Sequence, residues 1–393
     1  MTVSTKPFLA IYVAWHPSFA GGEKLARCLF EHYRRNLYQN VAGGTGIPVL
    51  YKSTPPAGAV VPIDVDMEEA ETTALVLLVD ENWANSAEWV AWGRKHSDRA
   101  DALGLRAFVF PVAVDRKAID TGVVPEQAVR WDQWRGDTEA VKLRRILTAL
   151  SYEFCRMLRQ YLERLQQPSV SDQDLEHYLK RVEVFVSHSK HDEHGVRIAE
   201  KIRIFVQDAG YDAFFDVINI PLGQRFDRVL LLKVKKSALV AVHTDSYSSR
   251  EWCRKEMIQA KKNDVPVVVA DCISDIDERG FPYMANVPIV RMDPAKIDRI
   301  DVVVGRLIDE VLKDFLWKCR VKVFEAGAST NVAFVPRPPE LIVLTELKEM
   351  TPKRSVLVYP DPPIGAEELE LLSKAAPDVR LLSATEFLAG VTT

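Results

Sequence analysis

Short apolar runs recur along the chain, each followed by a stretch where apolar residues return every three or four positions. Residues 8–14, 47–52, 74–80 and 107–114 read as strands, residues 23–38 as a helix, and residues 137–167 as a long amphipathic helix carrying Ile146, Leu150, Phe154, Met157 and Leu165. Asp137 or Thr138 is its expected cap. The alternation starts again after the polar, Pro-broken stretch QQPSVSDQD at 166–174. One apolar run ends at Ser187, a second at Asp216 and a third near Thr244; further strands are expected at 265–270 and 288–290. A closing helix over 295–317 turns Ile297, Ile300, Val304, Leu307, Val311, Leu312 and Phe315 inward. Strands alternating with helical patterns predict parallel sheets covered on both faces, whose ligands bind at the carboxyl ends of the strands. Ser187, Asp216 and Thr244 all fall there. The expected layout is a first α/β domain over 1–165, a linker over 166–180, a second α/β domain over 181–320, a connector over 321–354 and a β-α-β unit over 355–393. That last unit is too small for a secure core of its own and must dock on something.

Composition narrows this modestly. With 393 residues, 47% hydrophobic and 27% charged, the chain supports two or three domains with separate cores. A net charge of −4 leaves no basic footprint for nucleic acid. Neither a signal peptide nor a run of about 18 apolar residues is visible, so no membrane span is expected. Cys28, Cys155, Cys253, Cys272 and Cys319 are scattered, which fits reduced thiols in a cytoplasmic protein.

Chemistry concentrates after the third run of the second domain, in HTDSYSSREWCRKE. Ser248 with Glu251 three residues on matches a capping box, so a helix is expected to start there. Trp252 and Glu256 lie one turn apart on one face of it, and Cys253, Met257 and Ala260 trace an apolar packing stripe. An indole beside a carboxylate suits an aromatic ring and a hydroxylated sugar. The plain alternative is a core Trp252 and a solvated Glu256. His188, His191 and His194 crowd the loop after Ser187, but loop spacing does not force them to converge as metal ligands must.

Over about 181–317 the sequence resembles a Toll/interleukin-1 receptor (TIR) domain of the bacterial, NAD-cleaving kind. The matching residues are Phe185, Val186, Ser187, His188 and Ser189 with Asp192; Phe215, Asp216 and Val217; Gly223; and Tyr247, Ser248, Ser249, Trp252, Cys253 and Glu256. The resemblance implies a flavodoxin-like doubly wound parallel sheet. It puts the catalytic carboxylate at Glu256 and substrate binding at Ser187, Ser189, Asp216, Phe226 and Trp252, with NAD+ as substrate and neither metal nor cofactor. It implies cleavage of the nicotinamide–ribose bond to nicotinamide and ADP-ribose or a cyclic form. Family members act as homo-oligomers through TIR–TIR contacts, triggered by a protein or signal, often in antiphage defence. Others are non-enzymatic adaptors, which is the alternative function.

The first domain reads as a worn copy of the second. IYVAWHP aligns with VFVSHSK, placing Ala14 at Ser187, and WANSAEWVAWG aligns with YSSREWCRKE through one extra residue, placing Trp89 at Trp252 and Gly93 at Glu256. Glycine costs about 1 kcal/mol inside a helix, so Gly93 is expected to end one. The expected fold is therefore two flavodoxin-like, TIR-like α/β domains in tandem, the first degenerate, plus a small C-terminal α/β unit.

Overall fold

The computed structural model describes residues 6–34, 45–121, 128–166, 183–208, 212–214, 234, 237–274, 280–349 and 353–390. Asp216 and Phe226 lie outside them, as does most of the linker. The chain divides into two compact units, Met1–Lys180 and Arg181–Thr393.

In the first unit, β1 (Leu9–Trp15), β2 (Val49–Lys52), β3 (Thr72–Val79) and β4 (Ala107–Ala113) form a parallel sheet in the order β2-β1-β3-β4. Every residue of β1 and β3 is buried, because these central strands are covered on both faces. The helices are α1 (Gly22–Tyr33), α2 (Glu81–Asn85), α3 (Ala87–Leu103) and α4 (Glu139–Gln166). Thr138 Oγ1 accepts from the Val141 N–H at 3.4 Å at the start of α4, whose Ile146, Leu150, Phe154 and Met157 are buried while Leu165 is exposed.

The second unit begins with β5 (Glu183–Ser187), α5 (Glu193–Asp208), β6 (Asp212–Phe214), β7 (Ala238–His243), α6 (Glu251–Lys262), β8 (Val267–Asp271), β9 (Ile289–Arg291) and α7 (Ile300–Glu325). Its sheet is parallel with the order β6-β5-β7-β8-β9. The first four positions repeat the order of the first unit, with the chain reversing direction across the sheet beside the first strand. Ser187 pairs with Ala241 and His243 with Asp271, so the carboxyl ends of β5, β7 and β8 share one edge. The closing helix starts later than expected: Ile297 has φ 51° and stands outside it, and the helix runs on past Trp317 to Glu325.

The remaining residues form a parallel sheet β10-β11-β12 (Val332–Phe334, Val356–Tyr359, Arg380–Ser383) with α8 (Leu341–Glu349), α9 (Ala366–Ala375) and α10 (Ala384–Leu388). The expected connector therefore contributes a strand and a helix to this module. Trp317, Val321 and Phe324 of α7 pack with Val332, Phe334, Val358 and Phe387, which supplies the core a unit of this size lacks alone.

Candidate functional site

The edge of the second sheet gathers its polar groups by strand termination. Ser187 is the last residue of β5, and Glu256 reaches it from the second turn of α6. Ser187 Oγ donates to Glu256 Oε2 at 2.5 Å, with both residues buried. Tyr247 Oη lies 2.8 Å from Ser187 Oγ. A serine hydroxyl has one hydrogen, and here the carboxylate takes it, so the phenol hydrogen is the one left to bridge to Ser187 Oγ, with the Cys253 carbonyl a longer acceptor for it at 3.5 Å. That needs a neutral phenol: burial, with Cys253 and Glu256 close by, holds Tyr247 well above its ordinary range. Sequence reasoning gave Tyr247 no role, although it stands in the YSS motif that was read.

Exposure reverses the plain expectation for the helix. Glu256 is 4% exposed and Trp252 is 40% exposed. Cys253, Met257 and Ala260 are buried together with Phe185, Leu239 and Ala241, so the apolar stripe packs on the sheet. The carboxylate is on the inner side of that stripe and the indole at its rim, where Lys255 Nζ stands 4.8 Å over the ring. Ser189 is buried, and among the described residues its Oγ has no hydrogen-bond partner. Thus Ser187 and Glu256 meet, Ser189 lies buried at the same strand end, and Trp252 flanks the site from outside.

The expected capping box is absent. α6 begins at Glu251, Arg250 occupies the cap position, and no side chain caps it. Ser248 Oγ is instead 3.1 Å from His243 Nε2, and Glu251 pairs with Lys255.

Residues 184–300 match the model of the TIR domain family. This part of the chain is a TIR domain. No curated protein matches the chain. Among solved structures it is similar to a dinucleotide forming acetyl-coenzyme A synthetase 1 from Ca. Korarchaeum cryptofilum, in complex with phosphate and ADP: 12% identity over 82% of this chain and 68% of that one, TM-score 0.31. It is also similar to the C-terminal domain of a glucosamine-fructose-6-phosphate aminotransferase from Francisella tularensis: 11% identity over 81% and 86%, TM-score 0.18.

The first unit carries a different set of side chains at the corresponding helix. Counted from the first helical residue, the buried positions three, six, seven and ten are Cys253, Glu256, Met257 and Ala260 in α6, and Trp89, Trp92, Gly93 and His96 in α3. Counted this way, Trp92 shares the sixth helical position with Glu256, and Trp89 shares the third with Cys253. Gly93 does not end its helix, which continues for another ten residues to Leu103. Trp83, Trp89 and Trp92 are buried with ring centroids 4.8 to 6.2 Å apart, and His96 stacks 4.0 Å from Trp92. Three indoles thus fill the buried face of α2 and α3 in this unit.

Proposed function

We propose that the TIR domain cleaves NAD+ between ribose and nicotinamide, with Glu256 as its catalytic carboxylate. The observation that carries this reading is the buried Glu256 held by Ser187 at the carboxyl edge of the sheet. A buried carboxylate fixed by a serine that a tyrosine holds in turn is expensive to keep and contributes nothing to the apolar stripe beside it.

The chemistry suits one carboxylate. Nicotinamide leaves a cationic nucleoside as a neutral base, so no acid has to protonate it, whereas ordinary glycosidases use a pair of carboxyl groups. What needs stabilising is an oxocarbenium-like ribose. A carboxylate whose orientation is already fixed by Ser187, and through it Tyr247, opposes that charge without reorganising as it develops. Ser189 Oγ is a donor available to ribose hydroxyls, and the exposed face of Trp252 offers stacking to nicotinamide. Asp216 and Phe226 complete the set by family resemblance. Water or the adenine end of the molecule then captures the sugar, giving ADP-ribose or a cyclic product. TIR domains self-associate, and activation by assembly, in a bacterial defence or signalling setting, follows the same resemblance.

The first unit, on this reading, is a degenerate relative that acts through its surfaces, because Trp92 and the indoles around it replace the carboxylate. The test is incubation of purified protein with NAD+ and separation of the products, alone and under conditions that promote oligomers. Nicotinamide release by the wild type and not by Glu256→Gln supports the enzyme. No release in any assembled state returns the domain to the adaptor class. Removing residues 1–165 separates a scaffold, which loses assembly and activity together, from an inhibitor, whose loss raises activity.

A further inference from the structure

We propose that Ser248, His243 and Asp271 form a second reactive site in the TIR domain: a serine nucleophile, its general base and the carboxylate that orients the base, acting on carboxylic esters. None of the three belongs to the Ser187–Glu256–Tyr247 chain.

The placement follows from topology. His243 ends β7 and Asp271 ends β8, and the two are paired in register, so their side chains emerge on the same side of the sheet. The Cys272 N–H donates to the His243 carbonyl at 2.8 Å and holds the two strand ends together. After β7 the chain turns at once, with the Tyr247 N–H donating to the Thr244 carbonyl at 2.9 Å, and this turn brings Ser248 back over His243.

The side-chain geometry is that of a nucleophile and base. Ser248 Oγ lies 3.1 Å from His243 Nε2, within the reach a general base needs. His243 Nδ1 is 3.8 Å from Asp271 Oδ1. That oxygen is buried, and among the described residues it has no hydrogen-bond partner. Leaving it so is costly, and a shift of under about 1 Å lets the imidazole N–H satisfy it; such bonds are commonly long before substrate binds. With the Nδ1 hydrogen directed at Asp271, Nε2 is the acceptor for the Ser248 hydroxyl, so the carboxylate selects the tautomer that activates the serine. The Tyr247 ring stands edge-on to the imidazole at 5.9 Å and limits its rotation. His243 is buried while Ser248 is partly exposed, so the base is shielded and the nucleophile can be reached.

Ser248 is also the residue expected to cap α6 and does not. The helix starts three residues later without a side-chain cap, which leaves its first-turn N–H groups as donors to be satisfied from outside the helix. Donors at the start of the helix that follows the nucleophile in the chain suit an oxyanion.

In the reaction Ser248 Oγ bonds to the ester carbonyl carbon as its hydrogen passes to His243 Nε2. The carbon–oxygen bond to the alcohol breaks, and that hydrogen leaves with the alcohol. Water then attacks the acyl-serine, giving one hydrogen to Nε2, which returns it to Ser248 as the carboxylic acid departs.

Full-length protein treated with a fluorophosphonate probe, followed by peptide mass spectrometry, tests the assignment, with p-nitrophenyl acetate hydrolysis as the second readout. Modification is expected at Ser248 and absent in Ser248→Ala. His243→Gln and Asp271→Asn should each slow it by about a hundredfold or more, with Asp271→Glu recovering part of the rate, while thermal unfolding shows each variant folded. Wild-type protein unlabelled at Ser248, or a labelling rate that His243→Gln leaves unchanged, overturns the site. The probe requires no NAD+, so its outcome is independent of whether Glu256 cleaves NAD+.

Discussion

Ser187 and Glu256, 69 residues apart in sequence, share a hydrogen bond of 2.5 Å in which the serine at the end of one strand orients the carboxylate of a helix. Glu256→Gln keeps an oxygen for Ser187 to donate to while removing the charge. It should leave the fold intact and lower nicotinamide release by about two to three orders of magnitude. Ser187→Ala keeps the charge and loses its orientation, so a smaller fall of about tenfold is expected, with a modest drop in melting temperature because Tyr247 and Glu256 each lose a buried partner. Full activity in a folded Glu256→Gln protein would refute the role of Glu256.

Trp252, at 40% exposure, contributes little to the core. Trp252→Ala should therefore shift the melting temperature only slightly, where a buried tryptophan truncated in this way costs about 3 to 5 kcal/mol. If the indole stacks on nicotinamide, KM for NAD+ should rise with Trp252→Ala and much less with Trp252→Phe. Equal kinetics for both variants and the wild type would remove Trp252 from the site.

In the first unit the same comparison runs the other way. Trp92 is 4% exposed among aromatic rings, so Trp92→Ala should cost about 3 to 5 kcal/mol in denaturant unfolding. Gly93→Glu puts a charge at a buried helical position and should destabilise the unit without creating NAD+ turnover. Nicotinamide release by that variant lacking the TIR domain would contradict the degenerate assignment.

His96 supplies a pH dependence. The Val65 N–H donates to its Nε2 at 3.0 Å, and Nδ1 donates to the Trp92 carbonyl at 2.8 Å, so both ring nitrogens are used by the neutral imidazole. Burial is the main cause holding its pKa below the ordinary 6.5; the Trp92 bond and Asp64, 3.8 Å away, do not offset it. The unfolded chain then binds the proton more readily than the folded one. The stability His96 contributes is complete above about pH 6.5 and is lost as pH falls from there through the folded value. Unfolding midpoints measured between pH 8 and 5 should fall with acidity, and His96→Gln should flatten that part of the profile.

Lys261, one turn beyond Met257 on the helix that carries Glu256, is almost fully buried. Its Nζ donates to Glu340 at 2.7 and 2.8 Å and to the Ala285 carbonyl at 2.5 Å. Burial pulls its pKa down and Glu340 opposes this. Arg337 Nη1 also donates to the Val265 carbonyl at 2.9 Å, just past the end of α6. The C-terminal module is thereby fixed to α6, the helix that carries Glu256. Glu340→Ala leaves a buried ammonium with only a carbonyl and should cost about 3 kcal/mol or more, while Lys261→Met with Glu340→Leu should recover most of it. Equal stability of the single variant and the wild type would show the pair to be dispensable.

The sequence by itself determined the two alternating α/β patterns, the strand ends at Ser187 and near Thr244, and the helix that presents Glu256. Each is a local matter of apolar period and strand length, written in contiguous residues. It also carried the TIR motifs. Only the tertiary structure decided which side chains meet. Burial of Glu256 and exposure of Trp252 depend on the helix rotation about its axis, which the packing of Cys253, Met257 and Ala260 sets and which a shared i, i+4 spacing does not reveal. That Trp92 and Glu256 share the sixth, buried position of their helices is visible only in the burial of the two helices. The capping motif misled because the Ser248 hydroxyl had a competing partner, His243, whose position depends on strand pairing. The segment at 332–334 read as a connector because three residues carry too little period to mark a strand; pairing with β11, far along the chain, made it one. Interactions across such separations are fixed when the sheets close, and no local pattern encodes them.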